Sequence, residues 1–226
     1  MELAKQHLDV GLFTNDMDAM LAFWQREVGL PFEETLPLGG GVRQHRHGMN
    51  GSVLKLNAAR DPMPEQPPCG YRELLIARAG IDAPRPLIDP DGNRVTLVPP
   101  GHDGVAGIMV RLAVRDESAF HRFYGEALGL ERAGDRTYRC GDSLLRFAAD
   151  ASAVPAGPMQ ARGFRYLTVQ VRDVDAEHAT IVARGGAEGR PPVTLGTTAR
   201  ISFVRDPDGN WIEISQRASL TGPLAR

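Results

Sequence analysis

Two histidines stand two residues apart in Gly41-Val42-Arg43-Gln44-His45-Arg46-His47, and on a strand that spacing turns both to one face. Such a pair can hold one divalent ion if a carboxylate completes the set, or can donate hydrogen bonds to a substrate. Arg43 falls on the same face, and a fixed guanidinium argues against a cation beside it. Other chemistries are not legible. Gly39-Gly40-Gly41 leads into neither a helix nor a lysine–serine pair, so it is not a phosphate-cradling loop. No G-x-S-x-G nucleophile elbow occurs, and no serine or cysteine has a base at readable spacing. Cys69 and Cys140 lack metal-type spacing, and two thiols in 226 residues point to a reducing compartment. His7, His102, His121 and His178 read as strand-start, linker or helix-surface residues.

The bulk composition narrows the setting. An apolar fraction of 42% with 24% charged residues suits a packed core. The formal charge of −2 gives no pull toward nucleic acid or an anionic membrane. The opening stretch MELAKQHLDVGLFTND has no signal-peptide run, and no segment approaches the roughly 20 apolar residues of a membrane span. The expectation is a cytoplasmic protein with a small-molecule partner and no nucleic-acid or membrane partner.

The elements that must position any site come in a repeat. HLDVGLFTNDMDAMLAFWQREVGL at 7–30 lies over GIMVRLAVRDESAFHRFYGEALGL at 107–130, so that Asp16 meets Asp116, Phe23 meets Phe123, and Gly29-Leu30 meets Gly129-Leu130. Asp89-Pro90-Asp91-Gly92-Asn93 recurs as Asp206-Pro207-Asp208-Gly209-Asn210, a turn between paired strands. Val110, Leu112 and Val114 alternate as on a half-buried strand, and Phe120, Phe123, Tyr124 and Leu128 then follow a helical period. Further strands are expected at 41–48, 52–58, 71–78, 94–98, 136–140, 143–148, 164–171, 199–204 and 211–215, with a short helix at 175–185. The order is strand, helix, three strands, in modules at 5–58, 70–99, 107–149 and 162–217. The second module has no room for its helix. Proline-rich or small-residue linkers lie at 59–69 and 150–161, and 99–106 joins the halves.

This βαβββ repeat, with the helix texts AFWQREVGLPFEE and HRFYGEALGLERAG and the DPDGN turn leading to WIEIS, resembles the vicinal-oxygen-chelate superfamily of glyoxalases, bleomycin-resistance proteins and extradiol dioxygenases. The resemblance covers nearly the whole chain. It implies an α+β fold of four modules, the second lacking its helix, that form two cupped mixed β-sheets with helices on their outer faces. Consecutive pairing is the expectation, because chain neighbours usually pack together: one domain at 1–100 and a second at 101–226. Crossed pairing, first module with fourth, is the alternative.

In metal-dependent relatives the first and last strands of each module supply histidine and glutamate ligands. Carried over, those positions are Asp9 and Lys55, Glu73 and Thr96, Met109 and Arg146, and Tyr166 and Glu213. Only Glu213 keeps the usual residue type and no histidine survives, which disfavours an extradiol dioxygenase or an ordinary glyoxalase. An ammonium at Lys55 could replace the cation's charge, with Asp9, Glu73 or Glu213 as partners. The resemblance therefore implies an enzyme without a bound metal or other cofactor, doing isomerase- or lyase-type acid–base chemistry on a small oxygenated molecule. Asp9, Lys55, Tyr166 and Glu213 would be its catalytic set, and His45, His47, Glu73, Arg146, Trp211 and Phe13 would bind substrate. Two alternatives stand beside it. One is a non-catalytic protein that sequesters an antibiotic or another aromatic or cationic molecule. The other is a metal enzyme using His45 and His47 with Asp9 or Glu73. The clipped module leaves sheet uncovered, which a homodimer would repair.

Overall fold

A computed structural model describes residues 1–224. Each full module opens with a buried strand and turns into a helix capped by an aspartate. Asp16, Asp116 and Asp173 accept the backbone N–H groups of Ala19, Ala119 and Ala176, satisfying donors that a helix start leaves unpaired. The helices are α1 (Met17–Ala22), α2 (Glu117–His121), α3 (Val174–Ala183) and the short α4 (Ala218–Thr221). Both α1 and α2 widen into a π-type turn, with Val28 N–H reaching Phe23 O at 3.0 Å and Leu128 N–H reaching Phe123 O at 2.8 Å. Gly29 and Gly129 then take φ of 75° and 68°, a left-handed conformation that glycine adopts without penalty. The internal repeat thus copies even this irregularity.

One sheet joins the first and fourth modules. Its order is β13 (Ala187–Leu195), β14 (Ala199–Arg205), β15 (Trp211–Arg217), β12 (Gly163–Gln170), β1 (Asp9–Thr14), β4 (Ser52–Ala59), β3 (Val42–Met49), β2 (Phe32–Gly39). The other joins the second and third: β6 (Arg85–Ile88), β7 (Arg94–Val98), β5 (Tyr71–Ala77), β8 (Ile108–Val114), β11 (Ser143–Ala149), β10 (Thr137–Cys140), β9 (Glu131–Gly134). The pairing is therefore crossed, and the consecutive arrangement expected from the sequence is corrected. The neighbour rule did not discriminate between the two, since the second and third modules are themselves chain neighbours nested between the outer pair. The module boundaries otherwise follow the repeat, and no helix lies between β5 and β6.

Parity builds the core. Leu8, Val10, Leu12, Leu54 and Leu56 from one sheet and Leu74, Ile76, Val110 and Leu145 from the other enter a single buried cluster with Met20, Phe23, Trp24, Phe120 and Tyr124 from the helical segments. The helices thus cover the outer faces, and the opposite faces form the cups. Among the described residues no helix is long and apolar enough to cross a membrane.

Candidate functional site

The first sheet has a near-twofold arrangement at its centre. β1 and β12 run antiparallel with Asp9 opposite Thr168 and Gly11 opposite Tyr166. Each is flanked by a parallel partner, with Gly11 beside Lys55 and Thr168 beside Glu213. Exchanging the modules therefore exchanges Asp9 with Tyr166 and Lys55 with Glu213. The four positions that the sequence assigns to the catalytic set share one concave face.

Lys55 and Glu213 reach across the module boundary and meet. Lys55 Nζ lies 2.6 Å from Glu213 Oε2 and donates to Thr168 Oγ1 at 2.7 Å, while Thr168 Oγ1 lies 2.6 Å from the same carboxylate oxygen. Both charged residues are buried. Burial pushes the Lys55 ammonium toward a lower pKa, opposed by the carboxylates of Glu213 and Asp9 and reinforced by Arg46. The Lys55 ammonium stands 5.5 Å from the centre of the Tyr166 ring. The phenol accepts hydrogen bonds from Asn57 Nδ2 at 3.2 Å and Gln44 Nε2 at 3.3 Å. Burial, and then the Glu213 charge, push its pKa upward, so at neutral pH Tyr166 is a hydrogen-bond donor rather than a base.

A cavity of about 570 Å³ opens over this group, within the size range of small-molecule sites. Gln44, Arg46, Lys55, Asn57, Tyr166 and Glu213 form its polar floor. Phe13, Val42, Ile201 and Phe203 form apolar wall, and the linker after β11 contributes Met159 and Gln160.

The remaining sequence candidates separate. Asp9 sits on the same face but does not line the cavity. It is fully buried, accepting from Lys5 Nζ at 2.6 Å and Val53 N at 2.9 Å on one oxygen and from Gln170 Nε2 at 3.2 Å on the other. Its two oxygens thus already have partners, and it anchors the floor. Phe13 lines the cavity as expected. Trp211 does not. Its indole N–H donates to Gly157 O at 3.1 Å, and the Arg205 guanidinium covers its ring at 4.6 Å from the centre.

His45 and His47 point away from the cup, a correction to their expected role in substrate or metal binding. β3 pairs with β4 so that His45 and His47 stand opposite Leu56 and Leu54, on the helix side, and Arg46 stands opposite Lys55. His47 is fully buried, with Nε2 3.0 Å from Gln25 Nε2, and His45 Nδ1 lies 3.0 Å from Thr35 Oγ1. The one-residue inversion brings in Gln44 and Arg46 instead. Burial lowers the His47 pKa to about 4. A folded-state value below the unfolded 6.5 means that the unfolded chain takes up the proton first as pH falls. Stability from this group is present above pH 6.5 and is lost as pH falls toward 4, by at most about 2–3 kcal/mol. In urea titrations from pH 7 to 4, His47→Gln should flatten that slope. An unchanged slope would remove His47 as its source.

Glu73 and Arg146 belong to the other sheet, so neither can assist Lys55. Glu73 binds Arg111 NH1 at 2.9 Å and Thr96 Oγ1 at 2.6 Å, and Arg146 reaches Asp103 at 3.2 Å. The cup they occupy is filled. Leu75, Val98, Met109 and Leu144 from its concave face close around Val105 from the segment joining the halves. Asp103 bridges Arg111 and Arg146 at the partly exposed rim, where ion pairs contribute little. Asp103→Asn should therefore cost less than about 1 kcal/mol in chemical denaturation. A larger loss would mean that the rim network holds the plug in place.

Four polar side chains that line the cavity were not singled out from sequence: Arg46, Arg190, Arg217 and Gln44. For Arg46 and Gln44 a signal exists. Asn50-Gly51, with φ of 51° and 84°, is a two-residue hairpin turn that sets Met49 opposite Ser52. It therefore sets Arg46 opposite Lys55.

The superfamily resemblance implies a divalent cation where the four central positions converge. The donor set does not fit one. A cationic ammonium fills the space beside Glu213, Asp9 is saturated by other donors, and Tyr166 keeps its proton. Among the described residues no three His, Cys, Asp or Glu side chains come together as a metal site.

Two paired modules, their helices outside and a cavity on the shared concave face make up a glyoxalase-like fold. Residues 106–214, a little under half of the chain, match the family model of the glyoxalase/bleomycin resistance protein/dioxygenase superfamily. Glyoxalase I from Zea mays superposes with a TM-score of 0.70 at 15% identity, covering 93% of this chain and 92% of that one. A candidate dioxygenase from Bacillus subtilis gives 0.70 at 13% identity, covering 96% and 86%. At such identities the likeness concerns the fold. No curated protein sequence matches the chain.

Proposed function

We propose that this protein handles a small oxygenated organic molecule in the cup shared by its first and fourth modules, by acid–base chemistry that needs no bound metal. The observation that carries the reading is the Lys55–Glu213 contact of 2.6 Å at the floor of the cavity. It supplies a fixed positive charge and a carboxylate side by side, the two services a metal and its base would otherwise provide.

A carbonyl oxygen laid against the Lys55 ammonium would have its developing negative charge stabilised in a water-poor site. Glu213 would accept the proton from the adjacent carbon. The C–H electron pair moves into the new carbon–carbon double bond as the carbonyl π electrons pass to oxygen. The Tyr166 hydroxyl, accepting from Asn57 and Gln44, keeps its own hydrogen to donate to that oxygen. In a hydroxyketone, return of the proton to the former carbonyl carbon gives isomerisation, as the former carbonyl oxygen takes up a proton and the neighbouring hydroxyl loses its own to become the new carbonyl. Departure of a β-substituent with its bonding pair gives a lyase reaction.

The test is deuterium exchange followed by NMR, at the carbon next to the carbonyl, across a panel of small 2-oxo acids and hydroxyketones. Exchange accelerated by the protein and slowed about 100-fold or more by Glu213→Gln supports the reading. Exchange that is indifferent to Glu213→Gln would end it. A second reading, binding without turnover, is favoured by the elevated Tyr166 pKa and by the apolar walls. It predicts saturable binding with no exchange.

A further inference from the structure

The charges around the cavity do not balance. Arg46, Lys55, Arg190 and Arg217 line it, and among the acidic side chains only Glu213 does. Glu34, at the rim, lies 3.2 Å from Arg46 and 3.4 Å from Arg217 and is shared between them. Lys55 is matched by Glu213. Arg190 makes no ion pair among the described residues and lies over the aromatic faces of Phe203 and Trp211, 5.7 and 5.8 Å from their centres. One guanidinium at the floor or rim and the whole of Arg190 are thus uncompensated, two positive charges in excess over one cavity. Arg46 is only 5% exposed, and a guanidinium held away from water is stabilised by an anion that enters beside it.

The other half of the cavity is of opposite character. Leu36 and Leu38 from edge strand β2 and Val193 and Leu195 from edge strand β13 flank the opening from the two modules. Leu38, Val193 and Leu195 remain 47%, 51% and 44% exposed. A cluster of exposed apolar side chains rimmed by polar ones marks a surface that an apolar group covers. Edge strands carry charge or proline to avoid self-pairing, and both β2 and β13 do so along part of their length. Here the apolar residues converge on one opening.

We infer that the ligand of this cup is an amphipathic carboxylate. Its anionic head lies toward Arg46, Lys55 and Arg190, and its apolar body lies between β2 and β13. This deepens the proposed function and rests on the same cavity being the ligand site. It also replaces the cationic ligand considered for the sequestering alternative, because the cavity carries excess positive charge.

Four probes separate the terms in calorimetric titrations of the full chain: octanoate, octan-1-ol, octylamine and acetate. Octanoate should bind at least 10-fold more tightly than octan-1-ol, and acetate and octylamine should bind weakly or not at all. The Arg190 side chain makes no hydrogen bond or ion pair among the described residues, only its contacts over the Phe203 and Trp211 rings, so Arg190→Gln should fold with at most a small drop in melting temperature. It should weaken octanoate binding 3- to 10-fold, and octan-1-ol binding by much less. Equal affinity for octanoate and octan-1-ol, preference for octylamine, or no binding of any probe at millimolar concentration would overturn the inference. The exchange experiment is scored separately. Glu213-dependent exchange without carboxylate preference ends this inference alone, and carboxylate preference without exchange ends the catalytic reading alone.

Discussion

Lys55→Met should lower the unfolding free energy by about 3–5 kcal/mol, the usual cost of removing one partner of a buried ion pair. The variant leaves Glu213, 8% exposed, with only Thr168 to satisfy the oxygen that Lys55 held. Asp9 keeps its own cation, Lys5, at 2.6 Å, so the loss falls chiefly on Glu213. The companion result is the more diagnostic one. Lys55→Met combined with Glu213→Leu should recover most of the loss, because well-packed apolar side chains commonly replace a buried ion pair at little cost. Urea denaturation of the two single variants and the double gives the coupling directly. A single-variant loss below about 1 kcal/mol, or a double variant as unstable as the two losses added, would show that the contact carries no such interdependence.

Gly11→Ala should be nearly as damaging, for a reason of space alone. A Cβ at residue 11 would lie 2.1 Å from Tyr166 Cε1 and Cζ, far inside any tolerated contact, and the ring itself is buried and packed against Phe13 and Phe203. The ring must swing away, breaking its hydrogen bonds with Asn57 and Gln44. Overpacking of this kind costs about 1–3 kcal/mol, and each lost hydrogen bond adds about 1 kcal/mol. A loss of about 3–5 kcal/mol is expected, together with loss of ligand binding in the cup. Gly11→Ala with Tyr166→Leu should regain part of the stability but not the binding. A Gly11→Ala protein within about 0.5 kcal/mol of the parent would mean that the ring is not seated over residue 11.

Much of the fold is legible because its signals are local. Val110, Leu112 and Val114 alternate, Asp16 and Asp116 cap, and Gly29 and Gly129 stop the helices, so the module order follows from the text of the chain. What escaped is of two physical kinds. The strands β2, β6, β9 and β13 are the four sheet edges and are mostly exposed. With neither face fully buried they carry no alternation to read, and β2, β6 and β13 also contain proline. The pairing of modules escaped because the contacts that decide it, Asp9 with Thr168 and Tyr71 with Leu112, join distant segments whose strands are equally apolar in either arrangement.

The site divides the same way. Alternation placed Lys55, Tyr166 and Glu213 on an inward face, and the structure brings them together. It failed for β3, where Gln44 and Arg46 on one face and His45 and His47 on the other are all polar, so the pattern itself cannot choose a side. The Asn50-Gly51 turn could have chosen, since it fixes the register with β4. Arg190 and Met159 lie on an edge strand and a linker, and no local pattern announces that either one reaches the cavity.

In the first cup the Lys55 ammonium stands beside Glu213, at the position where the superfamily resemblance implies an ion. The direct measurement is metal content by mass spectrometry, on protein purified without chelators and then dialysed against iron, zinc, nickel and manganese in turn, alongside Glu213→Gln. Far less than one ion per chain, unaltered by the substitution, is the predicted result. One ion per chain, lost in Glu213→Gln, would contradict it.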